Sequence, residues 1–203
     1  MSGCLIHLDK QSRVRPVGVG EPWICLLSNC ILKVTGPEAT TACQVYQICA
    51  RLKVGIDVAV CVVQAIWDAI LSSEYWGILL VDAKNAFNEI NWIGMLWTVF
   101  NLWTSEDQFV FNCYFRWSSP ILQKDNVTAS FLHSRYDMTQ GYPLAMVTHV
   151  IGVVLLTKQP KAIFTDVNQP WYAKNTGALG AFANVKLYFD LLKKIVPGHE
   201  NYP

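Results

Sequence analysis

The chain is predicted to be an α+β protein, and three features of its sequence carry that prediction. Segments with apolar residues three and four apart recur along it, the signature of amphipathic helices. Among them lies Trp76-Gly77-Ile78-Leu79-Leu80-Val81, an unbroken apolar run about as long as a buried strand. Hydrophobic residues make up 52% of the 203 positions and charged residues 15%, so the chain is built to bury a core and is not of the disordered class.

The elements follow in order. Up to Gly20 the chain reads as an extended basic segment, where Arg15-Pro16-Val17-Gly18-Val19-Gly20 mixes β-branched residues with turn formers. Gly36-Pro37-Glu38 opens a helix, with proline at its first position and an acid in its first turn. Val45, Ile48, Cys49 and Leu52 continue at helical spacing, and Gly55 ends it. Asp57 caps a second helix running through Val60, Val63, Ile66 and Trp67 to Leu71. The apolar run then delivers Asp82 at its end. Asn91 caps a helix bearing Met95, Leu96, Val99, Phe100 and Trp103, and Thr104-Ser105-Glu106-Asp107 caps another. A hairpin follows, Ile121-Leu122-Gln123 and Ser130-Phe131-Leu132 flanking a turn near Asp125-Asn126. A glycine-proline loop leads into a long apolar helix from Leu144, and a second hairpin carries Lys174-Asn175 at its tip. A helix from Phe182 to Lys194 closes the series.

Composition narrows the function classes. The net charge is +1, without the basic excess of a strong nucleic-acid binder, so only a local patch could engage phosphates. Seven cysteines, an odd number without a C-x-x-C pair, and four scattered histidines do not make a zinc framework. Buried, reduced thiols in an intracellular compartment, the nucleus included, are expected. No signal peptide is expected, since Asp9, Lys10, Arg13 and Arg15 break any early apolar run. No transmembrane segment is expected either, because the uncharged stretch from Met138 to Thr157 is too short in its apolar part.

Four fragments then meet a family. Val81-Asp82-Ala83-Lys84-Asn85-Ala86-Phe87 resembles the first palm motif of reverse transcriptases, an apolar strand ending in aspartate. Thr139-Gln140-Gly141-Tyr142-Pro143-Leu144 resembles the second palm motif, Gln-Gly-x-Pro-Leu. Tyr172-Ala173-Lys174-Asn175 aligns with Tyr-x-Asp-Asp, and Arg15-Pro16-Val17 is similar to the Arg-Pro step of the fingers. The order and spacing match from near residue 10 to beyond residue 180, most closely the retrotransposon-encoded branch.

The resemblance implies a right-hand polymerase fingers–palm fragment without its thumb, its antiparallel palm sheet packed on helices. Residues 1–73 would form a fingers-like portion with leading palm helices, and 74–203 the palm. It implies template-directed transfer of nucleotides from dNTPs onto an RNA or DNA template-primer, with Mg²⁺ as the family's cofactor. Asp82 would ligate that metal, and Phe87 would lie under the incoming sugar and exclude a 2′-hydroxyl. Gln140, Gly141 and Tyr172 would border the nucleotide, and Arg15 would hold triphosphate oxygens, with Lys10 as a less securely placed helper. Each residue has a plainer reading: Asp82 as a turn cap, Phe87 as core, Arg15 as a solvated charge, Gln140-Gly141 as a turn before a helix.

The departures bear on activity. Lys174 and Asn175 stand at the two hairpin aspartate positions, and Tyr142 replaces an acid at a variable one. An ammonium near Asp82 attracts it by about 4 kcal/mol at about 4 Å and an effective dielectric near 20. It also repels a metal, and Asn175 offers a neutral oxygen in place of a charged one. Asp137 and Asp166 lie too far from the hairpin tip to replace the lost acids without a register shift. The expectation is a catalytically inactive copy with no metal bound. The alternatives are a retained nucleic-acid- or protein-binding module and an unrelated apolar domain associated with a membrane.

Overall fold

The computed structural model describes residues 3–10, 13–50, 55–70, 75–83, 86–87, 89–115, 121–124, 127–131, 138 and 142–195. The elements run β1 (Gly3–Lys10), β2 (Arg13–Gly20), α1 (Pro22–Cys43), a 3₁₀ turn (Gln44–Tyr46), α2 (Gly55–Ile70) and β3 (Trp76–Asp82). They continue with α3 (Trp92–Leu102), α4 (Asp107–Tyr114), β4 (Ile121–Lys124), β5 (Val127–Phe131), α5 (Ala145–Gly152) and α6 (Val154–Ile163). The last are β6 (Trp171–Tyr172), β7 (Asn175–Ala181) and α7 (Phe182–Ile195). The predicted α+β class is what forms. The chain makes two compact units, Met1–Ala42 with Asn85–Gly152, and Cys43–Lys84 with Val153–Pro203.

The first unit holds a four-stranded sheet in the order β2-β1-β4-β5. β1 pairs antiparallel with β2 and parallel with β4, and β4–β5 is the expected hairpin, with a register shift between Leu122 and Gln123. In the same unit α3 packs on α4 and α5, burying Met95, Val99 and Trp103. Asn91 caps α3 as predicted: its Oδ1 accepts the backbone N–H of Ile93 at 2.9 Å and of Gly94 at 3.1 Å. Gly152 ends α5 where a Cβ would lie 3.0 Å from Met95 Cγ and 3.1 Å from Ile90 Cδ1, so a side chain there would make these neighbours give way by a few tenths of an ångström.

Three local expectations are corrected. Pro37 lies inside α1 and does not start it. A mid-helix proline costs about 3 kcal/mol, yet Leu32, Gly36 and Ala39 keep a buried face running through the break. The Thr35, Thr40 and Thr41 hydroxyls donate to the carbonyls four residues back. Residues 45–50 do not extend the helix: Gln44 has φ 45°, Gln47 is extended, and Gly55 opens α2 instead of closing α1. The apolar helix from Leu144 is two helices, with Val153 between them at φ −96°, ψ 0°.

The second unit is built on the antiparallel sheet β3-β7-β6. Leu79 and Val81 of β3 pack on the cluster of Val167, Trp171, Ala178, Val185, Tyr188 and Leu192, which joins the sheet to α7. Strand alternation sends Leu80 and Asp82 to the opposite face. The helix predicted from Phe182 is α7, and the strand predicted to deliver Asp82 is β3. No helix among the described residues is long and apolar enough to cross a membrane. Among the described side chains the expectation of buried thiols holds for Cys43; Cys30 and Cys61 are exposed, and Cys25, Cys49 and Cys113 are partly buried.

Candidate functional site

The second unit brings three of the predicted residues together through strand register. In the β3–β7 ladder Asp82 faces Asn175, and in the β6–β7 ladder Asn175 faces Tyr172. Asn175 therefore stands in the central strand between the other two. The two-residue turn between the strands is Ala173-Lys174, so the hairpin tip lies one residue earlier than predicted and Asn175 is already paired. The Lys174 carbonyl accepts the Ala83 N–H at 3.2 Å, which ties the turn to the end of β3.

Lys174 Nζ lies 2.7 Å from Asp82 Oδ1, a charge-assisted hydrogen bond across 92 residues of sequence. The side chains are 34% and 69% exposed. At that exposure water screens the pair, so its net worth is about 1 kcal/mol or less, below the bare attraction of about 4 kcal/mol at an effective dielectric near 20. Its importance is positional: the ammonium occupies one oxygen of the carboxylate. Among the described residues no three His, Cys, Asp or Glu side chains gather anywhere.

A groove of about 480 Å³ runs from this pair between α2 and the open face of the sheet. Ile56, Val60 and Val63 of α2 line one wall, and Leu80, Asp82 and Tyr172 the other. Its mostly apolar lining suits a planar or aliphatic group better than a hydrated cation.

The hairpin tip is held by residues that sequence reasoning missed. The Gln47 side chain, 1% exposed, accepts the Ala173 N–H at 3.0 Å through Oε1 and donates to the Ala173 carbonyl at 3.2 Å through Nε2. Cys49 Sγ is a second acceptor for the same N–H at 3.1 Å, and its S–H points to Gln47 Oε1 at 3.7 Å. Burial pushes the Cys49 thiol up to about 11, so it stays protonated and can donate. The Ile48 N–H donates to the Trp171 carbonyl at 2.9 Å. Ala173 itself has φ 51°, a left-handed conformation costing about 1–2 kcal/mol for a residue with a Cβ. Read as part of a helix, Gln47 carried no local signal of this role.

The remaining predicted residues belong to the first unit or lie outside the described residues. Phe87 is half-buried; its carbonyl accepts the Met138 N–H at 2.9 Å, and its ring stacks on His149 at 4.2 Å with 25° between planes. Burial lowers the His149 pKa to about 4. Arg15 is in β2, paired with Leu8, and Lys10 faces Arg13; nothing is described of these side chains. Gln140, Gly141 and Asp137 lie outside the described residues. Tyr142 is buried, and burial raises its phenol to about 12.

No protein-family model matches the sequence, and no curated protein sequence does. Solved structures do match its fold. Telomerase from Candida tropicalis, in complex with a TWJ fragment of telomeric RNA, aligns with TM-score 0.69 at 9% identity, over 96% of this chain and 39% of that one. Telomerase from Candida albicans, in complex with the same kind of fragment, aligns with TM-score 0.65 at 11% identity, over 97% and 39%. An apo Candida tropicalis telomerase truncated from its C-terminal domain aligns with TM-score 0.60 at 10% identity, over 98% and 47%. The chain thus spans less than half the length of the proteins it matches. What the likeness shows is the fold, that of a reverse-transcriptase-type polymerase in the part of telomerase that aligns.

Proposed function

We propose that this chain is a reverse-transcriptase-type domain, related to the retrotransposon-encoded branch, that no longer transfers nucleotides. The observation that carries the reading is the Lys174–Asp82 ion pair at the hairpin tip. Two-metal nucleotidyl transfer needs carboxylate oxygens to hold the cations that align the attacking hydroxyl and neutralise the triphosphate. Here the donor set is one carboxylate already bound to an ammonium, plus one neutral amide. That set does not fit Mg²⁺, which demands a near-octahedral shell of oxygens and is repelled by the adjacent positive charge. No catalytic step is assigned through a metal.

The ancestral roles of Asp82, Phe87, Gln140, Gly141, Tyr172 and Arg15 belong to this proposal, as do the division into fingers-like 1–73 and palm 74–203 and an intracellular, nucleus-compatible location. An RNA or DNA template-primer and a dNTP are the partners of the ancestral site; with a net charge of +1, retained binding is weak and strongly salt-dependent.

Primer extension on a homopolymer template with Mg²⁺ or Mn²⁺ tests the reading, and no synthesis is expected. Appreciable DNA synthesis by the unaltered chain overturns it. The double variant Lys174→Asp with Asn175→Asp should gain Mn²⁺ binding, read as paramagnetic broadening around Asp82 that the unaltered chain lacks.

A further inference from the structure

The contacts of Gln47 go beyond the loss of carboxylates, since they bear on how the hairpin tip is placed. A two-residue turn leaves the N–H and C=O of its first residue without ladder partners, and a buried peptide group does not tolerate that. Gln47 meets both groups of Ala173 with one side-chain amide, acceptor to donor and donor to acceptor. The geometry is that of a neighbouring strand's peptide unit, supplied by a side chain from 126 residues earlier. Cys49 and Ile48 add bonds on either side of it, to the Ala173 N–H and the Trp171 carbonyl.

We infer that Gln47 is the positioning residue of the hairpin tip: its amide holds Ala173 in the left-handed conformation and so places Lys174 on Asp82. Three observations converge. Turns that join twisted strands tightly need positive φ at their first position, where glycine is usual; alanine stands there and is kept by outside contacts. Lys174 is the next residue, its carbonyl bound to the Ala83 N–H and its ammonium to Asp82, so its position follows from that of Ala173. Finally, the side chain is fully buried and both its polar atoms bond Ala173, with the Cys49 S–H a further, longer contact to Oε1. A methionine of similar volume would fill the space and supply neither bond. The functional meaning of this clamp rests on reading the hairpin tip as the altered polymerase site; the clamp itself does not.

The test uses the whole chain and two readouts by NMR: hydrogen exchange of the Ala173 amide, and the Lys174 ammonium signal coupled to Asp82. In the unaltered protein the Ala173 amide is expected to be protected although it sits in a turn. Gln47→Met should speed its exchange by about tenfold or more, the equivalent of roughly one to two net hydrogen bonds, and should uncouple Lys174 from Asp82. Gln47→Glu supplies the decisive pH profile. As a neutral acid it can accept the Ala173 N–H and donate to the carbonyl, restoring protection; once ionised it has no donor, and exchange accelerates.

If Gln47 only fills space, Gln47→Met behaves like the unaltered chain and Gln47→Glu shows no pH step in either readout. Either result overturns the inference. Should both variants fail to fold, the unaltered chain still decides: an Ala173 amide exchanging as fast as an exposed turn amide refutes the clamp. None of these measurements involves metal or synthesis. Primer extension by the unaltered chain would therefore remove the inactive-polymerase reading and leave the clamp standing, and loss of the clamp would leave that reading intact.

Discussion

Acid should weaken the first unit through one side chain, His149. The ring is 1% exposed, neither nitrogen has a hydrogen-bond partner among the described residues, and one face lies against Phe87. Burial therefore moves its pKa from 6.5 down to about 4. Between those values the unfolded chain takes up a proton that the folded chain refuses. Stability is complete above pH 6.5 and falls as pH drops toward 4, by up to about 1.4 kcal/mol per pH unit and roughly 3 kcal/mol in all. Below about pH 4 both states are protonated and this contribution stops changing. Urea unfolding at several pH values, followed by tryptophan fluorescence, measures the slope. Carboxylates elsewhere also titrate, so the comparison is with His149→Phe, which keeps a ring against Phe87 and has no proton site. The stability difference between the two proteins should widen steadily from pH 6.5 to 4. Parallel pH profiles would refute the reasoning, because they would mean that the buried imidazole binds its proton as easily folded as unfolded.

Substitutions at three further positions probe the fold and the hairpin. Lys174→Ala should cost about 1 kcal/mol or less in urea unfolding, because the ion pair is solvent-exposed, and the cost should shrink further in molar salt. Asn91→Ala removes the acceptor for two N-terminal amides of α3 and should cost about 1 kcal/mol by the same assay, with Asn91→Ser close to neutral. Trp103→Ala empties a fully buried site and should cost about 3–5 kcal/mol. Trp103→Phe should cost much less, since the indole N–H has no acceptor among the described residues.

What could be read from the sequence was what neighbours along the chain decide. The Asn91 cap depends on amides two and three residues away, and the apolar run of β3 and the helix α7 are set by their own periodicity. The pairing of Lys174 with Asp82 was anticipated only through the resemblance, since no local rule joins residues 92 apart. Where distant partners win, local reading fails. Thr104 and Ser105 look like helix caps, yet both bond the Glu38 carboxylate and leave α4 without a side-chain cap. Pro37 looks like a helix start, but a buried face on both sides of it carries α1 through. Gln47 looks like an ordinary polar residue, and its role is visible only once the hairpin has folded back onto it.

The long sequence separations at the hairpin tip also have a consequence for the order of assembly. Gln47 is synthesised 126 residues ahead of Ala173, and Asp82 is synthesised 92 residues ahead of Lys174. Asp82 lies in β3, whose ladder partner is β7, so neither group can meet its partner until the hairpin has been made. The entropy of closing loops this large has to be met before either contact contributes, so this corner should form late and slowly. Any interruption of translation before residue 173 would release a chain in which neither Gln47 nor Asp82 can make its contact.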